Sequence, residues 1–115
     1  MSKIYVIADG GGTSTDWCVI AEGQRRFFTT ESYHPINWST QFKERVDNFW
    51  KEQLDVSSAK LSFFGAGLFL PERQEEASKL FMDIGFNEVM VSSDLHAAGL
   101  ASVGRSSGWI AIAGT

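Results

Sequence analysis

The segment Asp9-Gly10-Gly11-Gly12-Thr13-Ser14-Thr15-Asp16 constrains the fold most, because it stands between two short apolar runs at residues 4–8 and 17–21. The first run is rich in β-branched residues and the second ends at Glu22-Gly23, so the pair predicts a β-hairpin with glycines at its tip. Three glycines let backbone amides approach an anion with no Cβ in the way. Thr13 and Thr15 offer hydroxyls, and Asp9 can hold a magnesium ion or its water. The alternative is a plain glycine-rich turn, which would not need three glycines, two threonines and a flanking Asp together. The glycines lie between strands and no Gly-Lys-Ser/Thr follows, so neither dinucleotide-fold nor P-loop spacing is met.

β-forming residues at 26–30, just after Glu22-Gly23-Gln24, predict a third antiparallel strand. From Ser39 the period becomes helical. Phe42, Val46, Phe49, Trp50 and Leu54 share one face, Lys43, Glu44, Asp47 and Lys51 the other, and Ser39 or Thr40 caps the start. A compact apolar run at 61–64 ends in Gly65-Ala66-Gly67. Pro71-Glu72 then opens a second helix with Ala77, Leu80, Phe81 and Ile84 on its buried face, Glu72, Glu75 and Glu76 near its positive end, and Gly85 as its stop. A short strand is predicted at 89–91, a small-residue helix capped by Ser92-Ser93-Asp94 from 95 to about 103, and a last strand at 109–113. Three strands in a row, then alternating helix and strand, indicate an α/β mixed sheet with antiparallel hairpin strands followed by parallel strands joined by crossover helices. That order is the ribonuclease-H-like arrangement.

At 115 residues the chain fits one domain and is too short for two lobes with a cleft between them. It stops on Ala113-Gly114-Thr115 directly after a predicted strand, so it reads as one truncated lobe, residues 1–115, of a two-lobed enzyme whose second lobe is absent. An apolar content of 43%, a charged content of 21% and only two prolines place it among soluble globular chains. The net charge of −4 and the lack of Lys/Arg clusters argue against nucleic-acid or anionic-membrane binding. The single cysteine, Cys18, forms neither an internal disulfide nor a cysteine metal cluster, and reads as a small core residue. No stretch is long and apolar enough to span a membrane and no leader pattern opens the chain, so the expected compartment is the cytoplasm.

Residues 9 to 13, Asp-Gly-Gly-Gly-Thr, followed by Thr15-Asp16-Trp17, resemble the first phosphate motif of the actin, hexokinase and heat-shock chaperone superfamily. Within it they are most similar to the branch that holds N-acetylglucosamine kinases and the activator ATPases of hydroxyacyl-CoA dehydratases. Val91-Ser92-Ser93-Asp94-Leu95-His96-Ala97-Ala98-Gly99 resembles the catalytic-Asp segment of that branch, and Ile112-Ala113-Gly114-Thr115 the start of its second phosphate motif. The resemblance implies an actin-like ATPase lobe of a kinase that uses ATP and magnesium to phosphorylate an amino sugar, N-acetylglucosamine to its 6-phosphate foremost. It implies that Gly10, Gly11, Gly12, Thr13, Gly114 and Thr115 hold the ATP phosphates and that Asp9 holds Mg2+, directly or through water. Asp94 is implied as general base and substrate ligand, taking the proton of the attacking sugar hydroxyl. Asn37, in His34-Pro35-Ile36-Asn37-Trp38, is implied as a ligand of a sugar hydroxyl or the N-acetyl group, since an amide both donates and accepts. The adenosine-binding part would follow Thr115, the isolated lobe is expected to be inactive, and a homodimer is left open.

Each of these residues has a plainer role beside it. Asp94 can cap the following helix, and the two roles can coexist. Asn37 can serve as a turn residue or N-cap, Trp38 as packing rather than a sugar platform, and Gly65-Ala66-Gly67 as a turn rather than a close pass to substrate. His34 and His96 are isolated and read as surface groups. Two other functions share the motifs. One is an activator ATPase coupled to electron transfer, which Cys18 in a predicted buried strand does not support. The other is a non-catalytic sensor, against which the intact Asp9, Thr13 and Asp94 speak.

Overall fold

The computed structural model of the protein describes residues 3–93. They run β1 (Ile4–Gly10), β2 (Ser14–Ala21), β3 (Gln24–Glu31), a 3-10 turn (Pro35–Asn37), α1 (Thr40–Gln53), a second 3-10 turn (Val56–Ser58), β4 (Ala59–Gly65), α2 (Pro71–Ile84) and β5 (Glu88–Ser92). The expected helix at 95–103 and strand at 109–113, together with Asp94, His96, Gly114 and Thr115, lie outside the described residues.

The five strands form one sheet in the order β3-β2-β1-β4-β5. β2 is antiparallel to both of its neighbours, whereas β1, β4 and β5 run parallel. This mixed α/β sheet has the ribonuclease-H-like order expected from the sequence. The β2–β3 hairpin turns on Glu22 and Gly23, both at positive φ (52° and 77°), the two-residue turn whose twist matches that of its strands. The β1–β2 hairpin is tighter than expected. Its strands extend to Gly10 and from Ser14, leaving Gly11 to Thr13 as the loop and placing Asp9 and Asp16 opposite each other inside the strands.

Side chains alternate across the sheet with period two. Val6 and Ala8 of β1, Thr15, Trp17 and Val19 of β2, and Leu61 and Phe63 of β4 are buried on the face that meets the helices. Phe42, Val46 and Trp50 of α1 and Ala77, Leu80, Phe81 and Ile84 of α2 close the core from above. Ile7, Cys18 and Phe64 are buried on the other face. At the centre stands Trp17, with ring centroids 4.6 Å from Trp50, 5.0 Å from Tyr33 and 5.9 Å from Phe63, and its indole N–H donates to Thr30 Oγ1 at 2.8 Å. Ser39 caps α1 by accepting the Phe42 N–H at 3.1 Å, which settles the choice between Ser39 and Thr40. Pro71 opens α2 and Gly85 ends it, as the sequence predicts. No helix among the described residues is long and apolar enough to cross a membrane.

Candidate functional site

The glycine-rich hairpin ends at the carboxyl end of β1, and the structure assigns its glycines different work. Gly10 lies beside Gly65 in the β1–β4 register, and the Phe63 ring covers both. A Cβ at Gly10 would fall 2.9 Å from Phe63 Cζ, and one at Gly65 would fall 2.5 Å from Phe63 Cε1 and 2.9 Å from Leu68 Cδ1. Gly11 closes the tip, donating its N–H to Ser14 O at 2.8 Å. Gly12 meets nothing within 4 Å of a built Cβ. The N–H groups of Gly12 and Thr13 and the Thr13 hydroxyl are exposed and have no hydrogen-bond partner among the described residues. Among the described residues the donors of the hairpin tip that have no partner are thus those of Gly12 and Thr13, with Gly10 and Gly11 shaping the backbone beneath them.

Thr15 departs from its expected role. It sits on the inward face between Ser14 and Asp16, fully buried, and its Oγ1 accepts the Tyr33 N–H at 3.1 Å, so its hydroxyl does not reach a phosphate. The alternation Thr15, Trp17, Val19 carried that signal in the sequence, since all three share the parity of the core face.

Asp9 and Asp16 face each other across the hairpin, and Thr29 Oγ1 holds Asp16 Oδ1 at 2.8 Å. Partial burial, and then the Asp16 charge, push the Asp9 carboxyl above its usual range. A carboxyl whose folded pKa exceeds its unfolded value costs stability as pH rises through that window, and the cost persists above it. Asp9→Asn is therefore expected to raise the urea midpoint at pH 7, with the advantage gone below about pH 3, where both states are protonated. A midpoint at pH 7 lower than that of the parent chain would contradict this. No group of three or more His, Cys, Asp or Glu that would cage a metal ion occurs among the described residues. The Asp pair instead offers hard oxygen donors of the kind that hold magnesium together with water and substrate phosphates.

Two further turns reach the hairpin. The first follows β3. Ser32 Oγ donates to Gly11 O at 3.1 Å and accepts the His34 N–H at 3.1 Å, while the Tyr33 ring is driven into the core, its hydroxyl accepting the Trp50 indole N–H at 3.1 Å. Desolvation raises the Tyr33 phenol well above its ordinary value, which keeps it neutral. Asn37 ends the 3-10 turn, exposed, with its backbone N–H on His34 O at 2.9 Å and its side-chain amide unpartnered among the described residues. Trp38 packs against the core and donates to Tyr33 O at 3.0 Å, so it is a packing residue.

The second turn is Gly65-Ala66-Gly67-Leu68, closed by Leu68 N–H on Gly65 O at 3.3 Å, with Gly67 at φ 84° in the third position that a type II turn reserves for glycine. A Cβ there would also run into the His34 imidazole. Ala66 N–H donates to Gly10 O at 2.8 Å, joining this turn to the hairpin. His34 differs from the surface group expected of it. It is half-buried, its Nδ1 accepting the Ile36 N–H at 3.2 Å and its ring lying over Gly67. Asp9, Gly10 to Thr13 and Asn37 are thereby gathered at one end of the sheet, whereas Asp94, Gly114 and Thr115 lie outside the described residues. Ser32 had no motif to mark it in the sequence.

No family model matches the chain, and no curated protein matches it. Among solved structures it is similar to YeaZ from Pseudomonas aeruginosa, at 16% identity and a TM-score of 0.47 over 87% of this chain and 46% of that one. The chain spans about half the length of that structure.

Proposed function

We propose that this chain is the phosphate-binding part of an actin-like ATPase fold that transfers the γ-phosphoryl group of ATP to an amino sugar, N-acetylglucosamine to its 6-phosphate foremost. One observation carries the reading: two amides and a hydroxyl at Gly12 and Thr13, without a partner among the described residues, lie at the tip of the hairpin that carries Asp9, and Ser32 joins that tip at Gly11 O to the turn that presents the Asn37 amide. Phosphoryl transfer needs positioning and charge stabilisation more than covalent chemistry, so such a set of donors suffices for one side of the reaction.

In this reading the Gly12 and Thr13 N–H groups and Thr13 Oγ1 donate to phosphate oxygens, Gly11 closes the tip beneath them, and Gly10 lets the Phe63 ring pack under the base of the hairpin. Asp9, with Asp16 opposite, would hold magnesium, directly or through water, and the ion would supply charge neutralisation on the phosphates. Asn37 donates to and accepts from the sugar. Asp94 as base and Gly114-Thr115 as a second phosphate contact rest on the sequence resemblance. Cys18 is fully buried in β2 and burial pushes its thiol up, so it is not a group poised to ligate a cluster at an interface, which leaves the electron-transfer activator unsupported.

Titration of the 15N-labelled full-length protein with Mg-ATP tests the clasp directly. The amides of Gly12 and Thr13 are expected to shift first and furthest. Shifts confined to other parts of the sheet would remove the basis for the reading.

A further inference from the structure

Gly11 carries two opposed constraints. Its N–H is held by Ser14 O at 2.8 Å, and its carbonyl accepts the Ser32 hydroxyl at 3.1 Å. The Gly11 carbonyl belongs to the same planar trans peptide as the Gly12 N–H, so the two groups point in opposite directions. A donor that fixes the carbonyl therefore aims the Gly12 N–H outward, away from Ser32. Without that donor the peptide between two glycines has little to stop it from flipping, because neither residue has a Cβ to restrict it. Ser32 is itself held: it is 7% exposed, and its oxygen accepts the His34 N–H at 3.1 Å. His34 O in turn accepts the Asn37 N–H at 2.9 Å. A line of hydrogen bonds thus runs from the peptide that presents the Gly12 N–H, through one serine hydroxyl, to the turn that presents Asn37. The Ser32 hydroxyl donates to one group while accepting from another, so its two bonds strengthen each other, and the step on to Asn37 is mechanical, through the His34 backbone.

We propose that Ser32 is a positioning residue that aims the Gly12 N–H and locks the Asn37 turn onto the glycine hairpin, so that phosphate bound at the hairpin is felt at Asn37. This deepens the reading of the hairpin as a phosphate clasp and rests on it. The neighbouring link, Tyr33 N–H on Thr15 Oγ1, lies one pair further down the strands and holds the same segment without touching the Gly11–Gly12 peptide. Ser32 is therefore the contact through which the tip itself is set.

The test uses the full-length protein, 15N-labelled, in three forms: parent, Ser32→Ala and Ser32→Thr. Ser32→Ala removes one oxygen, and the amides of β4 and α2 report whether the fold is kept. Without ligand, Ser32→Ala is expected to move the Gly12 amide resonance and to speed hydrogen exchange at Asn37, while β4 and α2 stay unchanged and Ser32→Thr restores both. With Mg-ATP, the parent is expected to shift at Gly12, Thr13 and Asn37. Ser32→Ala should bind about tenfold more weakly, the loss of one aimed hydrogen bond to a charged group, and should lose the response at Asn37. A shift at Gly12 and Thr13 in the parent with Asn37 silent, or an Asn37 response that survives in Ser32→Ala, overturns the role of Ser32 and leaves the clasp standing. No shift at Gly12 or Thr13 in the parent overturns both. Ligand-free spectra in which Ser32→Ala leaves Gly12 and Asn37 untouched overturn the positioning role without reference to any ligand.

Discussion

Trp17→Ala is expected to lower folding stability by about 3–5 kcal/mol, the range for removing a fully buried aromatic side chain whose cavity does not collapse. Trp17 has no exposed surface and touches β3, the segment after it, α1 and β4 at once, through Phe28, Tyr33, Trp50 and Phe63. Those neighbours are rings held by one another: Tyr33 also lies 5.2 Å from Phe42 and 6.2 Å from Phe81, and Phe63 lies 5.0 Å from Phe81. They cannot fall inward to fill the space without abandoning other contacts. The indole also holds Thr30 Oγ1, which is lost with it. A domain of this size has about 5–15 kcal/mol in all, so the variant should unfold at a far lower urea concentration, followed by circular dichroism. A change below about 1 kcal/mol, typical of surface positions, would show that the aromatic cluster does not anchor the two layers. Met82→Ala, on the exposed side of α2 at 50% exposure, provides the contrast and should stay within about 0.5 kcal/mol.

The second large effect concerns the glycines, which one reading of the sequence treats alike. Gly65→Ala is expected to cost about 1–3 kcal/mol by overpacking, because its Cβ would fall 2.5 Å from Phe63 Cε1 and 2.9 Å from Leu68 Cδ1. Phe63 and Leu68 are each 1% exposed and have no free space to retreat into. Shortening the ring should restore part of the loss, so Phe63→Leu and Gly65→Ala are expected to be non-additive in a double-mutant cycle. Gly12→Ala, whose Cβ meets nothing within 4 Å, should leave the thermal midpoint nearly unchanged. Equal destabilisation at positions 12 and 65 would mean that the open tip and the packed base are not distinct.

Much of this fold was legible in the sequence because its apolar runs, helical spacing and caps are distinct. The unbroken apolar runs at the heart of β1 and β2, the spacing Phe42, Val46, Trp50 in α1 and the Pro71 to Gly85 bracket around α2 each match a buried strand, a helical period or a cap. The strands run longer than expected at the hairpin, Gly10 and Thr15 included, since pairing with partners on both sides of β1 compensates for weak strand formers. The 3-10 turns at Pro35–Asn37 and Val56–Ser58 went unread, as three-residue turns leave no periodic trace. At the site, the glycine tip and Asp9 stood out as a motif, while the roles of Ser32 and His34 depend on which carbonyl or glycine lies opposite them. That is a property of tertiary placement, and no local pattern encodes it. Gly10 illustrates the limit from the other side: the letter is the same as Gly12, but the ring of Phe63 decides its purpose.

The most direct measurement is ADP release by the full-length protein with ATP and magnesium across a panel of hexoses and N-acetylhexosamines, run beside Asp94→Asn. Release is expected to depend on an amino sugar and to fall by about 10²- to 10⁴-fold in the variant, the usual contribution of a general base. Release at the same rate without sugar, or none with any sugar, would contradict the kinase reading.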